Sequence, residues 1–245
     1  EVPGQILNQF SMDEHENTFR IATTRGNVWD TKNPSSNDMY ILDVNDLNRV
    51  IGSLAGLAPG ERIYSVRFSG DRAYMVTFKK VDPFFVIDVS NPTSPRVLGA
   101  LKIPGFSDYL HPFDENHIIG FGKNTVVPSE EELKESNFDF EWYQGMKIGL
   151  FDVTDPVNPI QQFTELIGDR GTDSEVLYNH KALLFDKSRN LFAFPITVYT
   201  VPNKDPNTYT GSQQGEFTFQ GAYVYTLDLQ TGFHKKGEIT HQADI

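Results

Sequence analysis

The segment YILDV at residues 40–44 decides the fold of this chain, because closely similar segments occur three more times. The other copies are VIDV at 86–89, LFDV at 150–153 and YTLDL at 225–229. Each copy is apolar, reaches an aspartate, enters a turn and is followed by a second short stretch of strand-forming residues. Recurrence of one such unit along a chain is typical of a repeat architecture.

Each recurring segment is the third of four strand-forming stretches, which we label A to D in chain order. In the second repeat they are residues 64–68, 73–78, 84–89 and 96–103. The first and fourth repeats have their predicted A strands at 6–10 and 175–185. The A–B and C–D links are short and polar, and Pro in the C–D links favours turns.

Four-stranded meanders in series are the blades of a β-propeller. We therefore predict an all-β chain of four four-stranded antiparallel blades, at about residues 5–56, 57–103, 104–167 and 168–241. A β-sandwich does not explain why the same order recurs with the aspartate in the same place. The blades either close a ring or form an arc of a larger propeller. We expect an arc, completed by further blades or by another copy, because a terminal blade has an apolar face that needs a neighbour.

Composition excludes several classes of function. The 245 residues carry a formal net charge of −12, which disfavours nucleic acids and anionic membrane surfaces as partners. The absence of cysteine excludes zinc ribbons, iron–sulfur clusters, thiol catalysis and disulfides. No apolar run approaches the roughly 18 residues of a membrane span.

Several long stretches are distinctive: LNQFSMDE at 7–14, LAPGERIYSVRF at 57–68, IPGFSDYLHP at 103–112 and IGDRGTDSE at 167–175. In these stretches the chain resembles a family of secreted bacterial and archaeal proteins with a C-terminal β-propeller, distantly related to WD40 repeats. The resemblance implies an extracellular or cell-surface protein. It carries over no catalytic residues.

Loop length indicates the working face. In a propeller, the D–A and B–C connections share one face. The A–B and C–D turns are all short, whereas the predicted B–C connections are not, and they span about residues 25–38, 79–83, 123–146 and 197–221. Both tryptophans fall in such connections, and aromatic residues in loops suit a carbohydrate, peptide or protein ligand. The predicted ligand-binding residues are Arg62, Asp108, Arg170, Trp29 and Trp142.

Carboxylates in the D–A connections suggest a second possibility. Asp169, Asp173 and Glu175 supply the oxygen ligands that Ca²⁺ prefers, although structural ion pairs are the simpler explanation for these carboxylates. No cofactor is required by the sequence, and a P-loop and a nucleophile elbow are both absent. The first hypothesis is a non-enzymatic extracytoplasmic binding or scaffold module. The alternative is a metal-assisted hydrolase or lyase acting at the mouth of the central channel.

Overall fold

The computed structural model describes residues 1–30, 32–78, 82–136, 141–205 and 209–241, which form four antiparallel sheets of four strands each. The first sheet consists of β1 Met12–His15, β2 Thr18–Arg25, β3 Ser36–Asp43 and β4 Asp46–Leu57. The second consists of β5 Arg62–Ser69, β6 Arg72–Phe78, β7 Asp82–Asp88 and β8 Arg96–Ile103.

The third sheet consists of β9 Phe106–Pro112, β10 His117–Val126, β11 Trp142–Asp152 and β12 Ile160–Ile167, and α1 Glu130–Ser136 lies between β10 and β11. The fourth consists of β13 Leu184–Asp186, β14 Leu191–Thr200, β15 Glu216–Asp228 and β16 Gly232–Ile239. In every sheet the strands pair in chain order, so each is a meander, as the repeats predict. No helix among the described residues has the length and apolar character needed to cross a bilayer.

The chain divides into two compact units, Glu1–Ile103 with Asp152–Ile160, and Pro104–Phe151 with Gln161–Ile245. In the first unit, side chains of adjacent strands form a buried core that includes Met39, Ile41 and Met75. In the second unit, aromatic rings form part of the core. Phe192 stacks on Tyr225 with ring centroids 5.6 Å apart, and Phe121 meets the edge of Phe192 at 5.8 Å.

The aspartate of each repeat ends the third strand of its sheet, as predicted. Its Oδ1 atom accepts a hydrogen bond from the backbone N–H two residues further on. These bonds are Asn45 to Asp43 at 2.9 Å, Ser90 to Asp88 at 3.0 Å, Thr154 to Asp152 at 2.8 Å and Gln230 to Asp228 at 2.7 Å. This local bond stabilises the turn that begins where strand C ends and leads into strand D.

The C–D turns contact glycines on fourth strands. A Cβ on Gly52 of β4 would overlap the carbonyl oxygen of Pro92, and a Cβ on Gly99 of β8 would overlap that of Val157. Both pairs lie within the first unit. The missing side chains therefore let backbone approach backbone.

Two predicted A strands are wrong in part. At 6–10 the chain instead makes a 3₁₀ turn, Gln9–Ser11, and the strand begins only at Met12. The Asn8 side chain accepts a hydrogen bond from the Phe10 N–H at 3.0 Å, so local bonds compete successfully with the strand ladder.

The fourth predicted A strand, 175–185, is shortened by the same kind of competition. It contains the 3₁₀ turns Glu175–Leu177 and His180–Ala182, capped by the side chains of Ser174 and Asn179. Only Leu184–Asp186 pairs as a strand.

We predict that Gly99→Ala lowers the free energy of unfolding by about 1–3 kcal/mol, because the added methyl group must displace backbone at Val157. Gly237→Ala is the matched control, since no atom lies within 4 Å of the place that a methyl group would take there. Urea unfolding followed by circular dichroism measures both. Equal unfolding midpoints for the two variants would contradict the proposed contact.

The surroundings of Asp88 predict that the free energy of unfolding depends on pH. The Ser90 hydroxyl, the Ser90 backbone N–H and Arg96 hold the pKa of Asp88 below its usual value. This stabilisation is complete above the unfolded pKa of about 3.9 and is lost as the pH falls through the lower folded pKa. We expect the difference in unfolding free energy between the parent and Asp88→Asn to shrink below about pH 4. A difference that stays constant from pH 7 to pH 3 would show that the charge of Asp88 contributes nothing.

Candidate functional site

The strongest candidate site is an open cleft of about 370 Å³ in the first compact unit, lined by residues 5–7, 24, 26–29, 62 and 63. These residues come from the segment before β1, from the end of β2 with its B–C loop, and from the start of β5. The structure therefore brings together Trp29 and Arg62, two residues that the sequence predicts as ligand contacts.

Backbone hydrogen bonds hold the walls of this cleft. Gln5 pairs with Thr24 in both directions, at 2.9 and 3.0 Å, which fixes the N-terminal segment beside β2. The Gly60 N–H donates to the Ser35 carbonyl at 2.7 Å, and the Ser35 hydroxyl donates to the Glu61 carbonyl at 2.7 Å. The B–C loop of the first sheet thereby positions the backbone that leads into Arg62.

Trp29 projects from a turn that its neighbour stabilises. The Asn27 side chain accepts a hydrogen bond from the Trp29 backbone N–H at 2.9 Å. The Trp29 side chain is 65% exposed, and its indole makes no hydrogen bond or ring contact with any described residue. Ile6 and Leu7, which also line the cleft, are 45% and 47% exposed. The cleft therefore presents an uncovered apolar surface.

Arg62 lies beside this apolar surface. Its guanidinium carbon is 4.9 Å from the centroid of the Tyr64 ring, and Nη2 donates to the Tyr64 hydroxyl at 3.2 Å. Tyr64 is itself packed edge-on against Phe78, with ring centroids 5.4 Å apart. In the described part of the chain, Arg62 forms no ion pair. The carboxylate of the adjacent Glu61 instead accepts a hydrogen bond from Thr77.

Arg170 and Trp142 also come together, but they contact each other, in the second unit. The Arg170 guanidinium lies 4.5 Å from the Trp142 ring, and the Trp142 indole N–H donates to Glu132 at 3.3 Å. The prediction that Trp142 lies in a loop is wrong, because it is the first residue of β11. Consecutive aromatic residues favour strand here, and Tyr143 packs on Phe106 at 4.9 Å.

The predicted B–C loop at 197–221 is also shorter than expected. Strand β14 continues to Thr200 and β15 begins at Glu216, so Tyr199, Phe217 and Phe219 are strand residues. The rings of Tyr199 and Phe217 meet edge-on at 5.8 Å. Part of the predicted B–C connection at 79–83 lies outside the described residues.

The predicted calcium ligands each contact another side chain. Asp169 accepts a hydrogen bond from Lys204 at 2.7 Å, Asp173 from Lys123 at 2.8 Å and Glu175 from Asn179 at 2.6 Å. No group of three or more histidine or acidic side chains in the described ranges is arranged to hold a metal ion. A calcium site stays a prediction.

Asp108, which is another predicted ligand contact, is half-buried within β9.

Asp173 and Glu175 line a second cleft of about 430 Å³ in the second unit, together with Tyr178 and His241. Tyr178 is 74% exposed. Its pKa is raised by partial burial and, to a lesser extent, by the negative charges of Asp173 and Glu175. Asp173 and Glu175 are acidic residues of this cleft, whereas no acidic residue of the described ranges lines the cleft at Trp29.

Gln5, Ile6, Leu7 and Asn27 also line the cleft, although they are not among the predicted ligand contacts. A predicted strand at 6–10 hid the exposed apolar pair Ile6 and Leu7. The available signal was Asn8, two residues before Phe10, because this residue type favours local turns over strand.

Two uncharacterized proteins are similar to this chain in sequence. An uncharacterized protein of Archaeoglobus fulgidus is 41% identical over 194 residues, which is 79% of this chain and 27% of that protein. An uncharacterized protein of Methanocaldococcus jannaschii is 48% identical over 159 residues, which is 65% of this chain and 22% of that protein. The chain thus spans about a quarter of the length of these relatives.

Among solved structures, an acylaminoacyl peptidase of Pyrococcus horikoshii matches 93% of this chain and 32% of its own, with a TM-score of 0.46 and 13% identity. That likeness is too low to support an argument about function. A family model described as a beta propeller domain matches residues 1–245. The chain therefore belongs to the β-propeller domain family.

Proposed function

We propose that this chain is a binding module that holds a saccharide in the cleft beside Trp29. The observation that supports the proposal is the exposed indole of Trp29, which shares a cleft with Arg62 and has no ring partner among the described residues. A flat aromatic face with an open edge suits a ligand that has one apolar face and a polar rim. A sugar ring has that shape.

The size of the cleft favours a small ligand over a folded protein partner. Its volume of about 370 Å³ lies within the usual range for small-molecule sites, about 300–1,000 Å³. A stable protein interface buries about 800 Å² on each partner. The exposed apolar side chains here, Ile6, Leu7 and Trp29, form a much smaller patch.

The polar groups on the walls also suit sugar hydroxyls. The Gln5 side chain makes no hydrogen bond with any described residue, and the Asn27 side chain makes one, to the Trp29 backbone. Each amide offers both donors and an acceptor, and a sugar hydroxyl needs both. We further propose that the module acts outside the cytoplasm. The resemblance to secreted propeller proteins supports that location.

The two tryptophans provide the test, because each can be observed alone. In Trp142→Phe, all tryptophan emission comes from Trp29, and in Trp29→Phe it comes from Trp142. We expect soluble xylo-, cello-, chito- or uronate oligosaccharides to shift the emission of the Trp142→Phe variant to shorter wavelength. The same ligand should protect that emission from acrylamide quenching and should leave Trp29→Phe unaffected.

A mixed hexapeptide library forms the second arm of this experiment. Protection of Trp29 by peptides, with no response to any oligosaccharide, would show that the saccharide assignment is wrong. A ligand response confined to Trp142 would place the site elsewhere.

A further inference from the structure

We propose that the saccharide bound at Trp29 is acidic, and that Arg62 binds the carboxylate of a uronic acid residue. This inference rests on the proposed function and adds the class of sugar. It comes from the partners of Arg62, which differ from those of most other arginines in the chain.

Carboxylates are abundant in this protein, with 33 Asp and Glu against 21 Lys and Arg. Five arginines each lie within ion-pair distance of an aspartate: Arg20, Arg25, Arg49, Arg96 and Arg189. Arg62 has no such partner in the described ranges, although Glu61 is its neighbour in sequence. An exposed cation that stays unpaired in so acidic a chain is available to an anionic ligand.

Tyr64 holds the guanidinium in a defined position. It stacks against the guanidinium at 4.9 Å and accepts one hydrogen bond, from Nη2. A guanidinium has five N–H donors, and the other donors of Arg62 have no acceptor among the described residues. A guanidinium held in this way presents a fork of paired N–H donors in one plane, and it can donate two parallel hydrogen bonds to a planar carboxylate.

The position of Arg62 relative to Trp29 points to a carboxylate on the sugar itself. Both residues line the same cleft of about 370 Å³, so a ligand bound in this cleft lies beside both. In a uronic acid the carboxylate is attached to a ring carbon, at the edge of the ring whose face would stack on the indole. One guanidinium balances one negative charge, so Arg62 can bind the carboxylate of a single uronate residue within a longer chain.

The test uses tetramers of galacturonate, mannuronate and glucuronate, each compared with its methyl ester, which keeps the ring and removes the charge. We expect the parent to bind at least one acid tetramer at least tenfold more tightly than its ester, measured by titration calorimetry. Arg62→Gln should remove this preference, and Arg62→Lys should reduce it, because an ammonium lacks the fork. Arg49→Gln is the matched control, since Arg49 is an exposed arginine of the same unit outside the cleft. It should keep the preference.

The outcomes separate this inference from the proposed function. Equal affinity for acid and ester, with Trp29 protected by both, would overturn the acidic assignment and leave saccharide binding intact. Retention of the preference in Arg62→Gln would likewise overturn it, as would tighter binding of sulfated tetramers than of uronates. Failure of the parent to bind any oligosaccharide would overturn both proposals. Circular dichroism of each variant confirms that the variants are folded.

Discussion

The architecture depends on one hydrogen bond, which the aspartate at the end of each third strand makes. The aspartate side chain accepts this bond from the backbone N–H two residues further on, so strand C ends at a fixed place and the chain turns back into strand D. In the first unit, the turns that follow Asp88 and Asp152 contact Gly52 and Gly99. Because these C–D turns are constrained, the length of the chain between strands varies in the other connections. The candidate cleft lies among those other connections.

Much of the fold could be predicted from the sequence, because a repeated apolar segment with a fixed aspartate is a strong local signal. The extents of the A strands of the first and fourth sheets could not be predicted. Asn8, Ser174 and Asn179 form local hydrogen bonds there, and whether such bonds prevail over strand pairing depends on the neighbouring strands. For the site, the sequence placed Trp29 and Arg62 on one face, and they share a cleft. It also grouped Arg170 and Trp142 with them, but stacking between those two side chains depends on tertiary contacts.

The two arginine–aromatic pairs differ in whether they leave a tryptophan exposed. Arg170 covers Trp142, whose indole N–H is already bonded to Glu132, so that pair links α1 to β11 and the segment after β12. Arg62 instead stacks on Tyr64 and leaves Trp29 uncovered. Burial of an aromatic face by a cation within the fold stabilises the fold. An aromatic face and a cation that are left apart in one cleft offer both contacts to a ligand.

The most direct measurement is the ¹H–¹⁵N spectrum of the indole N–H groups, because the chain has only two tryptophans. Trp29→Phe assigns the two signals. On addition of the uronate tetramers, we expect the Trp29 signal to shift in a saturable way while the Trp142 signal stays in place. A saturable shift of the Trp142 signal alone, or no shift of either signal at millimolar tetramer, would contradict a uronate site at Trp29.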